Sequence, residues 1–252
     1  MDLGIAGKRA IVIGGSQGLG YAVSERLAQE GADLLLFARD AGRLGQARDA
    51  LCRQHGARVQ ICAGDIGRAA DIQQLAAEAA ATGGAQILVL NTPRPPSPMH
   101  DFLQENDEQR WEQAYRLQLE GALTVLRKLV PLVAMQGWGR VIAITSASVK
   151  QPMPRHAIST IFRAGVQAAL KHLAAEVAAR GVTVNAVAPA TIVTPTFATY
   201  HNLEQRIQAV PLKRAGKPQE LAATVAFLAS EHAGFITGET IQVDGGQTLA
   251  LC

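Results

Sequence analysis

The stretch that most restricts this chain is RAIVIGGSQGLGYAVSE, from Arg9 to Glu25. Ala10 to Ile13 make an apolar run short enough for a buried parallel strand, and Tyr21 to Ala28 have helical composition. Between them lie Gly14, Gly15, Gly18 and Gly20. Glycines there let the backbone turn sharply and approach a pyrophosphate, whose charge the free N–H groups and positive dipole end of the next helix receive. A glycine-rich turn can also serve strand–helix packing alone, so its meaning depends on the rest of the chain.

The next segments repeat the unit. Ala32 to Ala38 is a second apolar run, closed by Arg39-Asp40. An acidic residue at this strand end would bind the ribose 2′-OH of NAD; here Ala38 is neutral and the Arg39 guanidinium suits the 2′-phosphate of NADP. Asp40 can compete for Arg39, which keeps NAD as the lesser alternative. A helix from Ala41 to about His55, a strand from Arg58 to Ala63 before Gly64-Asp65-Ile66, a helix from Ala69 to Ala81 and a strand from Gln86 to Leu90 before Asn91 continue the alternation. Then come a long helix from Asp107 through Val133, a strand from Gly139 to Ile144 before Thr145-Ser146, and a helix from Ala157 to Arg180. A strand from Val182 to Ala188 leads into Pro189, Thr191, Thr194 and Pro195, and the tail gives one more helix and a strand from Thr240 to Val243. This alternation predicts one doubly wound α/β domain over 1–252, a parallel sheet of about seven strands with helices on both faces. Ligands then bind at the carboxyl ends of the strands. Asp65 and Asn91 stand at such ends, where Asp65 can accept from an adenine amino group and Asn91 can hold chain ends together; either can instead cap a turn.

Composition narrows the function. A hydrophobic share of 48% with 18% charged residues suits a soluble enzyme with a good-sized core. No run of about 18 apolar residues predicts a membrane span. The net charge of +3 is small and dispersed, which argues against nucleic acid. The start, MDLGIAGKRA, lacks a secretory pattern, so the cytoplasm is the expected compartment. Cys52, Cys62 and Cys252 have no CxxC spacing, and reduced thiols without a disulfide or metal site are expected. Thr92 to His100 (TPRPPSPMH) reads as a stiff extended loop beside the cleft, in which Arg94 can grip a carboxylate or phosphate or simply face solvent.

Over essentially its whole length the chain resembles the short-chain dehydrogenase/reductase family, nearest to its 3-oxoacyl-carrier-protein-reductase-like members. The pieces that carry the resemblance are IGGSQGLG at 13–20, GDI at 64–66, SAS after the fifth strand, NAVAP at 185–189, and RAGKP with FITGETIQVDGG near the end. It implies a Rossmann-like fold and NADP(H), or less readily NAD(H), held by Gly14, Ser16, Gln17, Gly18, Leu19, Gly20, Arg39, Asp65, Ile66, Asn91, Arg163, Pro189, Ile192 and Thr194. It also implies a small-molecule carbonyl or alcohol substrate, and a homotetramer or homodimer with subunit contacts on the two long helices.

The family's chemistry uses a tyrosine and, four residues later, a lysine, with a serine before them and an asparagine on the preceding helix. Thirteen residues after Ser146 stands Ser159, and the lysine position is Arg163; the following Ala164-Gly165 matches the family's Ala-Gly. Gln118 falls at the asparagine position, Leu90-Asn91-Thr92-Pro93 replaces the family's NNAG, Ile13 its threonine and Ala190 its glycine. A tyrosine with a pKa of about 10 can be drawn toward neutrality by a nearby ammonium, whereas a serine hydroxyl has no aromatic stabilisation of its anion. Ser159 is therefore a poor acid or base by itself. Arg163 can orient a ligand or stabilise an oxyanion but, with a pKa above about 12, cannot shuttle protons.

Ser146 can hydrogen-bond a substrate oxygen, and His156, Tyr115 or water can supply the proton. His156 can also be structural, Trp111 and Tyr115 can instead pack in a subunit interface, and Lys150 either approaches the site or lies on the surface. The prolines at 93–98 and the segment Phe197 to Arg206 are expected to shape the substrate pocket. The expected function is an atypical NADP(H)-dependent oxidoreductase; the alternatives are a non-redox elimination or isomerisation on the same scaffold, or a catalytically degenerate binding or assembly subunit.

Overall fold

Short apolar runs separated by helices leave the chain one economical arrangement, in which each helix returns it to the same end of a parallel sheet. The computed structural model describes residues 1–194 and 202–251; Pro195, residues 197–201 and Cys252, all named in the sequence expectations, lie outside them. The strands are β1 (Arg9–Ile13), β2 (Asp33–Ala38), β3 (Val59–Ala63), β4 (Ile87–Asn91), β5 (Gly139–Ile144), β6 (Val182–Pro189) and β7 (Thr240–Val243). They form one parallel sheet in the order β3-β2-β1-β4-β5-β6-β7. The order reverses between β1 and β4, so the crevice at the carboxyl ends opens beside the glycine-rich turn.

Helices α1 (Gly18–Gln29) and α2 (Ala41–His55) cover one face, together with the later α8 (Pro218–Leu228). On the other face lie α3 (Ala69–Ala81), α5 (Gly121–Val133) and α6 (Ala157–Val177). Both faces of β1 are consequently buried, which is why it reads as an unbroken apolar run.

Two helices depart from the sequence expectation. Helix α1 starts at Gly18, inside the glycine run, directly after a turn in which Gly14 takes φ of +71° and which ends with Gly18 at +58°, values at which a side chain would be strained. The long helix expected from Asp107 to Val133 is α4 (Glu108–Ala114), a π-helical turn over Tyr115–Glu120, and then α5. Within the wider turn Gln118 is fully buried, while Tyr115 is 44% exposed. The remaining helix, α7 (Leu203–Ala209), is capped by Asn202 Oδ1, which accepts from Gln205 N at 3.1 Å.

Asn185 fastens the edge of the sheet. Its Nδ2 donates to Ile236 O at 2.8 Å and its Oδ1 accepts from Glu239 N at 3.1 Å, tying the loop before β7 to β6. Asn185→Ala leaves both backbone groups without their partner and is expected to destabilise the protein by about 2 kcal/mol, seen as a lower denaturation midpoint in urea. An unchanged midpoint would show that this loop is held by other contacts.

At the amino ends of the strands, Trp138 lies between two cations. Lys8 Nζ and the Arg140 guanidinium each stand 4.2 Å from its ring centroid. Arg140 also donates to Ser230 O at 2.9 Å, so this stack joins β5 to the end of α8.

Candidate active site

At the carboxyl end of β1 the glycines bring backbone against backbone. Gly14 N donates to Phe37 O at 2.7 Å, and a Cβ added to Gly20 would lie 2.0 Å from Gly14 O. Asn91 packs beneath this turn: its Nδ2 would stand 3.0 Å from a Cβ on Gly14 or Gly20. Ser24 braces the turn from behind, donating from a fully buried hydroxyl to Gly20 O at 3.0 Å and Gly15 O at 3.3 Å. Sequence reading missed Ser24, although its four-residue spacing from Gly20 was a usable signal. Ser16 and Leu19 are half-buried around the turn, and Leu19 also packs on the core.

The segment after β6 closes over the same turn. Gly216 N donates to Thr191 O at 2.9 Å and Val193 N to Gly216 O at 3.1 Å, which pins Ile192 beside residues 215–216. Thr194 then reaches the turn, its Cγ2 lying 4.0 Å from a Cβ placed on Gly18. Thr194 thus stands against the glycine turn, while Ile192 is buried in the core beneath it.

At the carboxyl end of β2, Arg39 is exposed. Asp40 does not pair with it: its carboxylate caps α2 by accepting from Arg43 N at 2.9 Å and pairs with Arg43 Nε at 3.3 Å. Arg43 in turn donates to Gln17 Oε1 at 2.6 Å, linking α2 to the glycine turn. Arg43 is a further cation here that the sequence reading passed over. Asp65 Oδ1 accepts from Gly67 N at 2.9 Å, a turn-capping contact that uses one of its two carboxylate oxygens. Ile66 is buried beside α5, where a Cβ on Gly121 would lie 2.6 Å from its carbonyl oxygen.

The reaction end is built where the π-helical turn meets α6. A Cβ on Gly165 would stand 3.0 Å from Leu119 Cδ1, so α6 approaches this turn closely and Arg163 meets Gln118. Arg163 Nη1 donates to Ser159 Oγ at 2.8 Å and to Gln118 Oε1 at 3.0 Å; Nη2 donates to Pro93 O at 3.5 Å. All three acceptors are neutral. Ser159 and Arg163 are 4% and 9% exposed. Burial, with Arg94 nearby, pulls the Arg163 pKa down to about 10, which leaves it protonated at neutral pH. Arg163 Nε and Gln118 Nε2 are buried donors with no acceptor among the described residues.

The other expected groups divide. Ser146 Oγ lies 2.9 Å from Ser148 Oγ and accepts from Ser148 N at 3.2 Å, capping a short turn after β5. His156 Nδ1 lies 2.7 Å from Pro154 O, which assigns the proton of the neutral ring to that nitrogen. Burial first, and then Arg206, Arg163 and Arg155, hold its pKa below the ordinary histidine value, so it is neutral at neutral pH. Tyr115 lies edge-on to Phe162 with centroids 6.2 Å apart, and Trp111 packs edge-on to the same ring at 5.8 Å. Neither joins the hydrogen-bonded set around Arg163. Lys150 lines a separate cavity of about 490 Å³ with Gln167, Lys171 and Glu239.

Among the described residues no His, Cys, Asp and Glu side chains cluster as a metal site, and no helix is long and apolar enough to cross a membrane. The assembly can therefore bind an extended nucleotide along the strand ends and place donors, rather than a strong acid or base, at its far end.

Known proteins share this framework. A family profile described as enoyl-(acyl carrier protein) reductase matches residues 13–248. A glucose 1-dehydrogenase of Gluconobacter oxydans (strain 621H) is 36% identical over 97% of this chain and 93% of its own. A 3-oxoacyl-[acyl-carrier-protein] reductase of Staphylococcus epidermidis is 31% identical over 95% of this chain and 98% of its own. Among solved structures, L-sorbose reductase from Gluconobacter frateurii, complexed with NADPH and L-sorbose, superposes with a TM-score of 0.92 at 32% identity over the full length of both chains.

Proposed function

Because the chain belongs to the short-chain dehydrogenase/reductase family of oxidoreductases, we propose that it is an atypical NADP(H)-dependent member that interconverts a carbonyl and an alcohol. Its reaction end is Ser146, Ser159 and Arg163, with Ser159 and Arg163 at the family's tyrosine and lysine positions. The observation that carries this reading is the buried Arg163 guanidinium, shared between Ser159 and Gln118 beside the glycine-lined crevice.

The residues fit the dinucleotide. The Gly14–Gly20 contact leaves no room for a Cβ on Gly20, so the start of α1 can offer its N–H groups to a pyrophosphate at close range. Arg39 stands exposed where the adenosine 2′-phosphate is expected, with Asp40 committed to Arg43. When bound, the nicotinamide exchanges a hydride with the substrate carbon, and one proton completes the alcohol.

The chain's own groups then have distinct tasks. Ser159 Oγ accepts from Arg163, which leaves its hydroxyl hydrogen to point at a substrate oxygen and polarises it. Arg163 holds developing negative charge without giving up its proton. Neutral His156, with Nδ1–H spent on Pro154 O, offers Nε2 as an acceptor in the direction of alcohol oxidation. In reduction the proton comes from water through the Ser159 hydroxyl. Exposed Phe102, Tyr115 and Ile161 support the subunit contacts proposed for the helices around α4 and α6, to be checked by sedimentation.

Calorimetric titration with NADPH and NADH tests the cofactor reading. NADPH is expected to bind more tightly, and Arg39→Ala to weaken NADPH about tenfold while leaving NADH unchanged. Equal binding of both nucleotides would remove the 2′-phosphate assignment. Product formed from a carbonyl compound without net NADPH oxidation would replace reduction with elimination or isomerisation.

A further inference from the structure

The Ser146 hydroxyl is held by a single residue through two contacts. Its Oγ accepts from Ser148 N at 3.2 Å and lies 2.9 Å from Ser148 Oγ. An N–H can only donate, so the first contact occupies one of the two lone pairs of the Ser146 oxygen. Two hydroxyls can be joined in either sense, and the surroundings decide between them.

The two serines differ in what else they can reach. Ser148 is fully buried, and among the described residues its hydroxyl has one hydrogen-bond partner, Ser146 Oγ. Ser146 is half-buried at the carboxyl end of β5, where a parallel sheet of this kind receives its ligand. If Ser146 donated to Ser148, the Ser148 hydrogen would be left buried with nothing to accept it, a costly arrangement. If Ser148 donates to Ser146, no buried hydrogen of the pair is wasted and both lone pairs of Ser146 are filled. The group left over is then the Ser146 hydrogen, on the serine that keeps access to the crevice.

The fold holds this pair in place. Just before it, Thr145 N donates to Val187 O at 2.8 Å, and Ser146, in extended backbone, caps a short turn over Ala147–Val149. Val149 N donates to Ser146 O at 3.1 Å and Gln151 N to Ala147 O at 3.2 Å, which closes the turn. Ala147 and Ser148 are both fully buried in it, and the turn packs on β6 and α6. Packing on that side leaves Ser148 no second position from which its hydroxyl could serve another acceptor.

Resting on the oxidoreductase reading above, we propose that Ser148 is a positioning residue: its O–H donates to Ser146 Oγ and makes Ser146 a fixed donor to the substrate oxygen. Being buried, Ser148 acts through Ser146 alone. A carbonyl oxygen has only lone pairs to offer, so a serine whose own lone pairs are taken meets it without first having to turn. Its hydrogen bond then strengthens as negative charge develops on that oxygen.

Neutron diffraction from the deuterium-exchanged wild-type protein reads the arrangement directly. The Ser148 deuteron is expected on the line to Ser146 Oγ and the Ser146 deuteron away from it; a Ser146 deuteron aimed at Ser148 would overturn the proposal whatever the protein catalyses. The consequence is read in NADPH-dependent reduction of ethyl acetoacetate by the wild type, Ser148→Ala, Ser148→Thr, Ser146→Ala and the double alanine variant. Ser148→Ala is expected to lower kcat about tenfold with the KM for NADPH kept, threonine to restore most of it, and the double variant to be no slower than Ser146→Ala. An unchanged kcat in Ser148→Ala, or a loss that persists in full when Ser146 is already alanine, would overturn the proposal. Deuterons placed as expected in a protein that oxidises no NADPH would support the hydrogen-bond assignment and defeat the reductase reading.

Discussion

Arg163→Met is expected to lower turnover by about a hundred- to a thousandfold while leaving the protein at least as stable as before. The two halves of this result have one cause. Burial disfavours the charged guanidinium, and that cost is present in full below a pH of about 10, easing only as pH rises toward the ordinary arginine range. A methionine of similar reach removes the buried charge and fills the same space. Against this, Ser159 Oγ and Gln118 Oε1 each lose a donor, at about 1 kcal/mol apiece. We expect the relief of burial to match or exceed that loss, giving a melting temperature unchanged or raised by about 2–6 °C.

Arg163→Lys separates charge from geometry, since an ammonium cannot reproduce the fork shared by Ser159 and Gln118; its activity is expected to fall between the other two. Thermal melts and steady-state kinetics on the three proteins decide the matter. A large drop in melting temperature for the methionine variant would show that the guanidinium holds the site together and is not a strained group kept for function.

Gly20→Ala is expected to do the most damage to the fold itself. A Cβ there would lie 2.0 Å from Gly14 O and 2.7 Å from Gly14 C, with Asn91 Nδ2 at 3.0 Å. The obstacle is backbone, so no side-chain rotation can relieve it; α1 must shift away from β1. The expected cost is about 3 kcal/mol, with NADPH affinity lowered at the same time because the N–H groups of α1 move. Gly45→Ala is the control: nothing lies within 4 Å of its added methyl, and alanine in a helix should stabilise by up to about 1 kcal/mol. Denaturation midpoints of the two variants should therefore move in opposite directions. If Gly20→Ala kept the wild-type midpoint and bound NADPH normally, the turn would not be the close cradle described.

The parts of the molecule legible in the sequence are those whose cause is local. The glycine turn is one, because each glycine answers a contact within a few residues or with the adjacent strand, as Gly14 does with Phe37 and Asn91. Strands buried on both faces are another, since they must be continuously apolar. The choice of Asp40 between Arg39 and Arg43 was not legible from adjacency alone; the capping geometry of α2 decided it.

The π-helical turn was hidden for a different reason. Its residues, Tyr115 to Glu120, have ordinary helical composition, and the widening follows from contacts at a distance, between Gly121 and Ile66 and between Leu119 and Gly165. Within that half-step Tyr115 packs edge-on to Phe162 while Gln118 reaches Arg163. The surroundings of Arg163 were least visible, since Gln118 and Pro93, which share its guanidinium with Ser159, lie 45 and 70 residues away in the chain. Such partners meet only when the topology gathers them.

The two tryptophans stand at opposite ends of the strands, and this divides the protein's fluorescence into two separate reports. Trp138, clasped between Lys8 and Arg140 at the amino ends, senses whether the sheet is assembled. Trp111, anchored to Glu105 O and set edge-on to Phe162, senses the proline-rich loop at the mouth of the crevice. With one indole replaced by phenylalanine at a time, emission from the other would follow ligand entry apart from unfolding, so the molecule carries its own pair of optical gauges.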